Sequence, residues 1–168
     1  DGEFVASVSA ETVAARGLTV GRELSPRSLG KLRAEGLCDE AKRRALRFIR
    51  TRWRSRVEVE RRLARYGYSA DVIGAVLAGL ADEGWVSDEI FAAAFVRDRC
   101  ALKPRGKTAL AAELRRFGVS EEVIAAALAA HYTADEDELA RRALGNRGER
   151  MLRRGGWKGK RAAYSFLI

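Results

Sequence analysis

A chain of 168 residues that is 47% apolar and 33% charged, with two prolines, has the composition of a folded protein and not of a disordered one. No apolar run approaches the ~18 residues of a membrane span and no secretory leader is read, so a soluble cytoplasmic protein is expected. Cys38 and Cys100 lack Cys-x-x-Cys spacing, which argues against a disulfide framework or a zinc site.

The net charge of +9 is unevenly spread. Residues 1–40 carry 5 basic and 7 acidic groups, residues 41–84 carry 11 and 5, residues 85–134 carry 7 and 6, and residues 135–168 carry 9 and 5. The excess therefore sits in two patches rather than a tail, which points to phosphate backbones or acidic proteins as partners.

In chain order, "EFVASV" alternates apolar with small or polar residues after Asp1-Gly2, so residues 1–24 are expected to hold a small β element. The chain opens on Asp1 without a Met, and reads as a trimmed fragment. Ser25-Pro26 has the form of an N-cap followed by proline at the first helical position, which predicts a linker helix over 25–40. From Ala41 onward the sequence repeats itself. "LARYGYSADVIGAVL" (Leu63–Leu77) and "LRRFGVSEEVIAAAL" (Leu114–Leu128) are identical at 8 of 15 positions. In each, a glycine (Gly67, Gly118) suits the left-handed end of one helix and a serine (Ser69, Ser120) caps the next. Upstream, "FIRTRW" (Phe48–Trp53) matches "FVRDRC" (Phe95–Cys100), with four extra residues in the second copy around "LKPRG".

The expected organisation is a three-helix repeat over 41–84, a second over 85–133, and a third over 134–168 that lacks its last helix. The fold class is all-α: tandem three-helix repeats in an elongated curved array, with the small N-terminal β element in front.

The first helix of repeat one is read as "AKRRALRFIRTRWRSR". Ala45, Leu46, Phe48, Ile49 and Trp53 form its inner face, while Arg43, Arg47, Arg50 and Arg54 form one basic stripe. Glu58 and Glu60 are the nearest acids, and the stripe is read as unpaired and aimed at an external acidic or phosphate-lined partner. Lys103, Arg105 and Lys107 form a second basic group. Arg97, Arg115 and Arg116 add to it, and Arg150, Arg153, Arg154 and Arg161 follow in the third copy.

Several patterns are set aside. Ala101–Thr108 ends Gly106-Lys107-Thr108 like a phosphate loop, but an amphipathic helix precedes it where a buried strand is required. Asp135–Glu138 read as first-turn acids after a Thr133 cap, not as a metal cluster. His131, at the end of an Ala-rich helix, is a structural residue. Phe48, Trp53, Phe91, Phe95 and Phe117 fall at core spacing, whereas Trp85 and Trp157 beside glycines could be core or surface. No catalytic constellation, metal set or cofactor motif is found, which disfavours an enzyme.

"GWVSDEIFAAAFVRDR" (Gly84–Arg99) and "LRRFGVSEEVIAAAL" together resemble the RecX family, small regulators of the RecA recombinase. The resemblance covers roughly Ala41–Ile168. It departs from the family pattern at Trp85 and Ser87, at Pro104 before Gly106, and at Ala109 and Ala111 where arginines are common. It implies a monomeric, non-enzymatic modulator in DNA repair, homologous recombination and the SOS response. Such a protein would bind in the groove of the RecA filament on single-stranded DNA, hinder ATP turnover, filament growth and strand exchange, and favour disassembly. The alternative is a DNA-binding protein acting through its basic faces. Base-specific readout is not expected, because "ADVIGAVLAGLADEG" and "EEVIAAALAAH", the helices that would enter the groove, are apolar and acidic.

Overall fold

The computed structural model of the chain describes residues 7–103, 105–139, 141, 145, 153 and 156–167. Among these the regular structure is entirely helical. Eight helices are delimited: α1 (Ala10–Ala15), α2 (Pro26–Ile49), α3 (Arg56–Ala64), α4 (Ala70–Asp82), α5 (Asp88–Leu102), α6 (Lys107–Arg116), α7 (Glu121–His131) and α8 (Gly156–Leu167). The chain divides into two compact units, residues 1–91 and 92–168, and α5 runs through the division.

Among the described residues the expected N-terminal β element does not appear. Phe4 and Val5 lie outside the described residues, Ser7 and Val8 are irregular, and the region then enters a helix at Ala10. Ser9 decides this locally, because its side chain accepts from the Thr12 amide and caps α1. The backbone N–H of Ser9 donates to Asp39 on α2 at 3.0 Å, Arg16 pairs with Glu35, and Gly36 is buried beneath the Ser7 carbonyl. Among the described residues there is no sheet for a strand to join, whereas the capped turn meets two carboxylates on α2.

In the first unit, Ser25 caps α2 and Pro26 occupies its first turn. This helix is continuous across the expected linker and the start of repeat one. Ala41, Ala45 and Ile49 recur every four residues on its inward side. They meet Val59 and Leu63 of α3, Ile73, Val76, Leu77 and Leu80 of α4, and Val86. Helices α2, α3 and α4 pack on one another, so repeat one is closed around its own core.

The expected first helix of this repeat stops early, at Ile49. The reason is a competing start. Ser55 is fully buried and closes a capping box with Glu58, each accepting at 3.2 Å from the other's backbone N–H. Residues 50–54 must therefore turn, and Trp53 leaves the expected core face to stand 45% exposed. The α3 start is further held by Asp88, which accepts from the Arg56 amide at 2.8 Å.

The second unit repeats the plan. Ser120 caps α7, and Gly118 before it takes φ 80°, as Gly67 takes φ 83° before Ser69 and α4. Helices α6 and α7 pack on each other, with Leu110, Ala111, Leu114, Ile124 and Ala127 buried. Phe95 and Phe117 meet edge to face, their centroids 5.5 Å apart. The cap after α7 is Asp135 and not Thr133: Asp135 Oδ1 accepts from the amides of Asp137 and Glu138 at 2.9 and 3.1 Å. No helix among the described residues is long and apolar enough to cross a membrane.

Candidate interaction surface

The four-arginine stripe resolves into three and one. Arg43, Arg47 and Arg50 are exposed at helical spacing on the outer side of α2, with Arg50 at the C-cap. None makes an ion pair with a described residue. Three guanidinium groups held on one helix face, with α2 fixed by its core contacts, form a rigid cationic edge.

Arg54 is different, because the chain has already turned. Its guanidinium lies 4.0 Å from the Phe48 ring centroid and 3.5 Å from Glu58, and it donates to Thr51 at 2.9 Å. Its side chain is only 15% exposed. Burial, and next the charge of Arg52, lower its proton affinity below the usual arginine value, with Glu58 opposing. Glu58 lies four residues beyond Arg54, so the stripe was not free of acids: the fourth arginine is satisfied within the chain.

The same division runs through the second unit. Arg97 and Lys103 are exposed without an ion pair among the described residues, and Arg116 is exposed. Arg105 pairs with Glu113 at 3.0 Å, and the same carboxylate takes Arg99 at 3.0 Å. Arg115 forks onto Glu121, holding that carboxyl below the ordinary range mainly through the hydrogen bond. The Lys107 ammonium stands 5.1 Å from the Tyr132 ring centroid. Arg153 and Arg161 are exposed; Arg150 and Arg154 lie outside the described residues.

The phosphate-loop resemblance fails on geometry. Helix α5 precedes it, Gly106 caps α6 without a side-chain bond, and the Lys107 amide faces Glu136 at 3.4 Å, a carboxylate where a phosphate would sit. Among the described residues no three His, Cys, Asp or Glu side chains group as metal ligands.

Sequence reasoning overlooked Arg44, Arg62, Phe48 and Tyr66 as one set. Arg44 and Arg62 flank the Tyr66 ring at 4.7 and 5.1 Å, and Arg62 reaches Phe48 at 5.4 Å. The signal available was weak: Arg62 and Tyr66 are four apart, and Glu40 precedes Arg44 by four.

Two family descriptions match in order along the chain: "RecX, first three-helix domain" over residues 41–80 and "RecX, second three-helix domain" over residues 87–128. The chain belongs to the RecX family. The first RecX domain takes the second half of α2, then α3 and most of α4, while the second takes α5, α6 and most of α7. "Regulatory protein RecX" of Mycobacterium sp. (strain KMS) is 43% identical over 115 residues, 68% of this chain and 58% of that protein. The protein of the same name from Mycolicibacterium vanbaalenii is 43% identical over 121 residues, 67% of this chain and 66% of its own length. The chain thus matches somewhat under two thirds of these relatives. A solved structure described as regulatory protein RecX superposes with a TM-score of 0.78 at 20% identity, covering 99% of this chain and 82% of that one. RecX from Lactobacillus salivarius superposes with a TM-score of 0.61 at 18% identity, covering 78% and 85%. At these identities the two structures speak for the fold alone.

Proposed function

We propose that this protein is a non-enzymatic regulator of the RecA recombinase that binds the recombinase filament on single-stranded DNA. In this reading it slows ATP turnover, filament extension and strand exchange, and favours disassembly. The observation that carries the reading is the edge of Arg43, Arg47 and Arg50, three exposed cations on one face of α2 that no acid of the described chain neutralises. Like charges so arranged repel one another, and an acidic or phosphate-rich groove relieves that repulsion. Arg97 and Lys103, exposed without an ion pair among the described residues, are the corresponding candidates in the second unit; Arg116, Arg153 and Arg161 are exposed cations that add to the basic surface. Arg54, Arg105 and Arg115 are assigned to structural pairing instead, since each already holds a carboxylate. Repetition of the unit supports the reading too, because a repeated module can engage successive subunits of a helical polymer and gain by multivalency.

The test is the DNA-dependent ATPase rate of a RecA filament while this protein is titrated in. Inhibition at well below one copy per recombinase subunit is expected. No effect at any ratio from a folded sample would refute the reading, and salt-sensitive retention on bare DNA would then favour the DNA-binding alternative.

A further inference from the structure

Helix α8 divides its residues between two sides. Trp157, Arg161 and Tyr164 recur at i, i+4 and i+7, and Lys160 lies beside them, so the four share one face. All four are exposed, and Trp157 at 77% and Tyr164 at 67% carry the two most exposed rings among the described residues. Neither Lys160 nor Arg161 makes an ion pair with a described residue. On the opposite side Gly159 is buried.

The repeat register agrees with this division. With Leu167 set against Leu63 and Leu114, Gly159 falls on Ser55, the buried cap of α3, and Ala163 falls on the buried Val59 and Leu110. Lys160 and Tyr164 fall on Arg56 and Glu60, both exposed on α3. In α6 the position of Tyr164 is the small, buried Ala111, whereas the tyrosine of α8 stands outside. The exposed side of α3 mixes signs, Arg56 and Arg61 with Glu60; that of α8 carries cations and rings alone. From Arg150 to Ile168 the chain has six basic residues and no acidic one, so no carboxylate of that stretch neutralises the face. Two large rings held in water gain by being covered.

We propose that this face of α8 binds single-stranded nucleic acid, with bases stacked on Trp157 and Tyr164 and phosphates held by Lys160 and Arg161. The proposal rests on the filament-binding reading above and adds a place where the strand itself is touched. Charge complementarity calls for a polyanion. The rings decide which one. An acidic peptide brings carboxylates but no planes to stack, whereas every base has a face that fits a ring whatever the sequence. A duplex keeps its bases stacked on one another and closed to the rings. Two helical turns, about 10 Å, separate Trp157 from Tyr164, so each ring has room for its own base with Arg161 between them.

The test reads the fluorescence of Trp157 in a Trp53→Phe, Trp85→Phe parent, where it is the sole tryptophan. Oligothymidylate should quench it saturably. At the same ionic strength a duplex of equal length, an abasic sugar-phosphate oligomer and octaglutamate should leave it nearly unchanged. In that parent Tyr164→Ala should bind oligothymidylate at least about fivefold more weakly, and Tyr164→Phe should bind as the parent does, with helical content checked by circular dichroism. Quenching by the abasic oligomer or the duplex equal to that by oligothymidylate would overturn stacking on an unpaired strand and leave charge alone. A stronger response to octaglutamate would overturn it in favour of an acidic protein partner. So would Trp157 emission that oligothymidylate does not change, or a Tyr164→Ala variant that binds as tightly as its parent, remove the site. No recombinase enters this experiment, so its failure is distinguishable from failure of the ATPase test.

Discussion

The guanidinium of Arg54 lies 4.0 Å from the centre of the Phe48 ring, covering it from the turn that follows α2. The same side chain reaches Glu58 and Thr51, so one residue ties the end of α2 to the first turn of α3. Replacing Arg54 with Ala uncovers one side of Phe48 and leaves Glu58 paired with Arg52 and the Ser55 amide. We expect a loss of about 1–2 kcal/mol and a fall in Tm of about 2–8 °C. Filament inhibition at a temperature well below the transition should be retained. A variant as stable as wild type that no longer binds would reverse the assignment.

Arg43, Arg47 and Arg50 carry the opposite expectation. Changing all three to Glu should weaken filament binding at least about tenfold and leave helical content and Tm nearly unchanged, since all three are exposed and none makes an ion pair with a described residue. Wild-type affinity should also fall steeply between low and physiological salt. A flat salt dependence in titration calorimetry would point to an apolar interface instead.

Two glycines of α2 should respond with opposite sign. A Cβ at Gly36 would run into the backbone carbonyl of Ser7, so Gly36→Ala must push the N-terminal segment off Asp39 and Glu35. Trypsin should then cut sooner at Arg16 and Arg22, a change visible by mass spectrometry. Gly30 has open space around it, and Gly30→Ala should add about 0.5–1 kcal/mol by restricting the unfolded chain and favouring the helix. Equal behaviour of the two variants would mean that the N-terminal packing contributes nothing.

Stability should fall on the acid side through specific pairs. Glu40 is held below the usual carboxyl range by its hydrogen bond from Arg44, and next by that with Tyr68. A carboxyl whose folded pKa is depressed adds stability above its unfolded pKa, about 4.3, and that contribution disappears as pH falls through the folded value. Glu121 with Arg115, and Glu89 with Ser87, behave alike. The Glu40→Gln variant should therefore melt below wild type at neutral pH and converge with it as pH falls below about 4. Melting curves that stay parallel across that range would remove Glu40 from the account.

Much of this protein was determined by local sequence. Gly67 and Gly118 end helices, Ser69 and Ser120 start them, and both act within a few residues through backbone conformation and capping bonds. Because those signals recur at matched positions, the repeat and the family were legible without coordinates. Tertiary structure decided which charges are available. The Ser55–Glu58 capping box was present in the sequence, but helical periodicity ran straight through it and carried Arg54 and Trp53 onto the wrong faces. Periodicity reports where a side chain would point if the helix continued; it does not say whether a competing cap ends it. From Ser9 onward the N-terminal region is a helix rather than a strand, and it is gripped by Asp39 and Glu35, roughly a helix length away in sequence. Which arginines hold a carboxylate depends on contacts between separate helices, such as Arg99 of α5 with Glu113 of α6, which no single stretch of sequence contains.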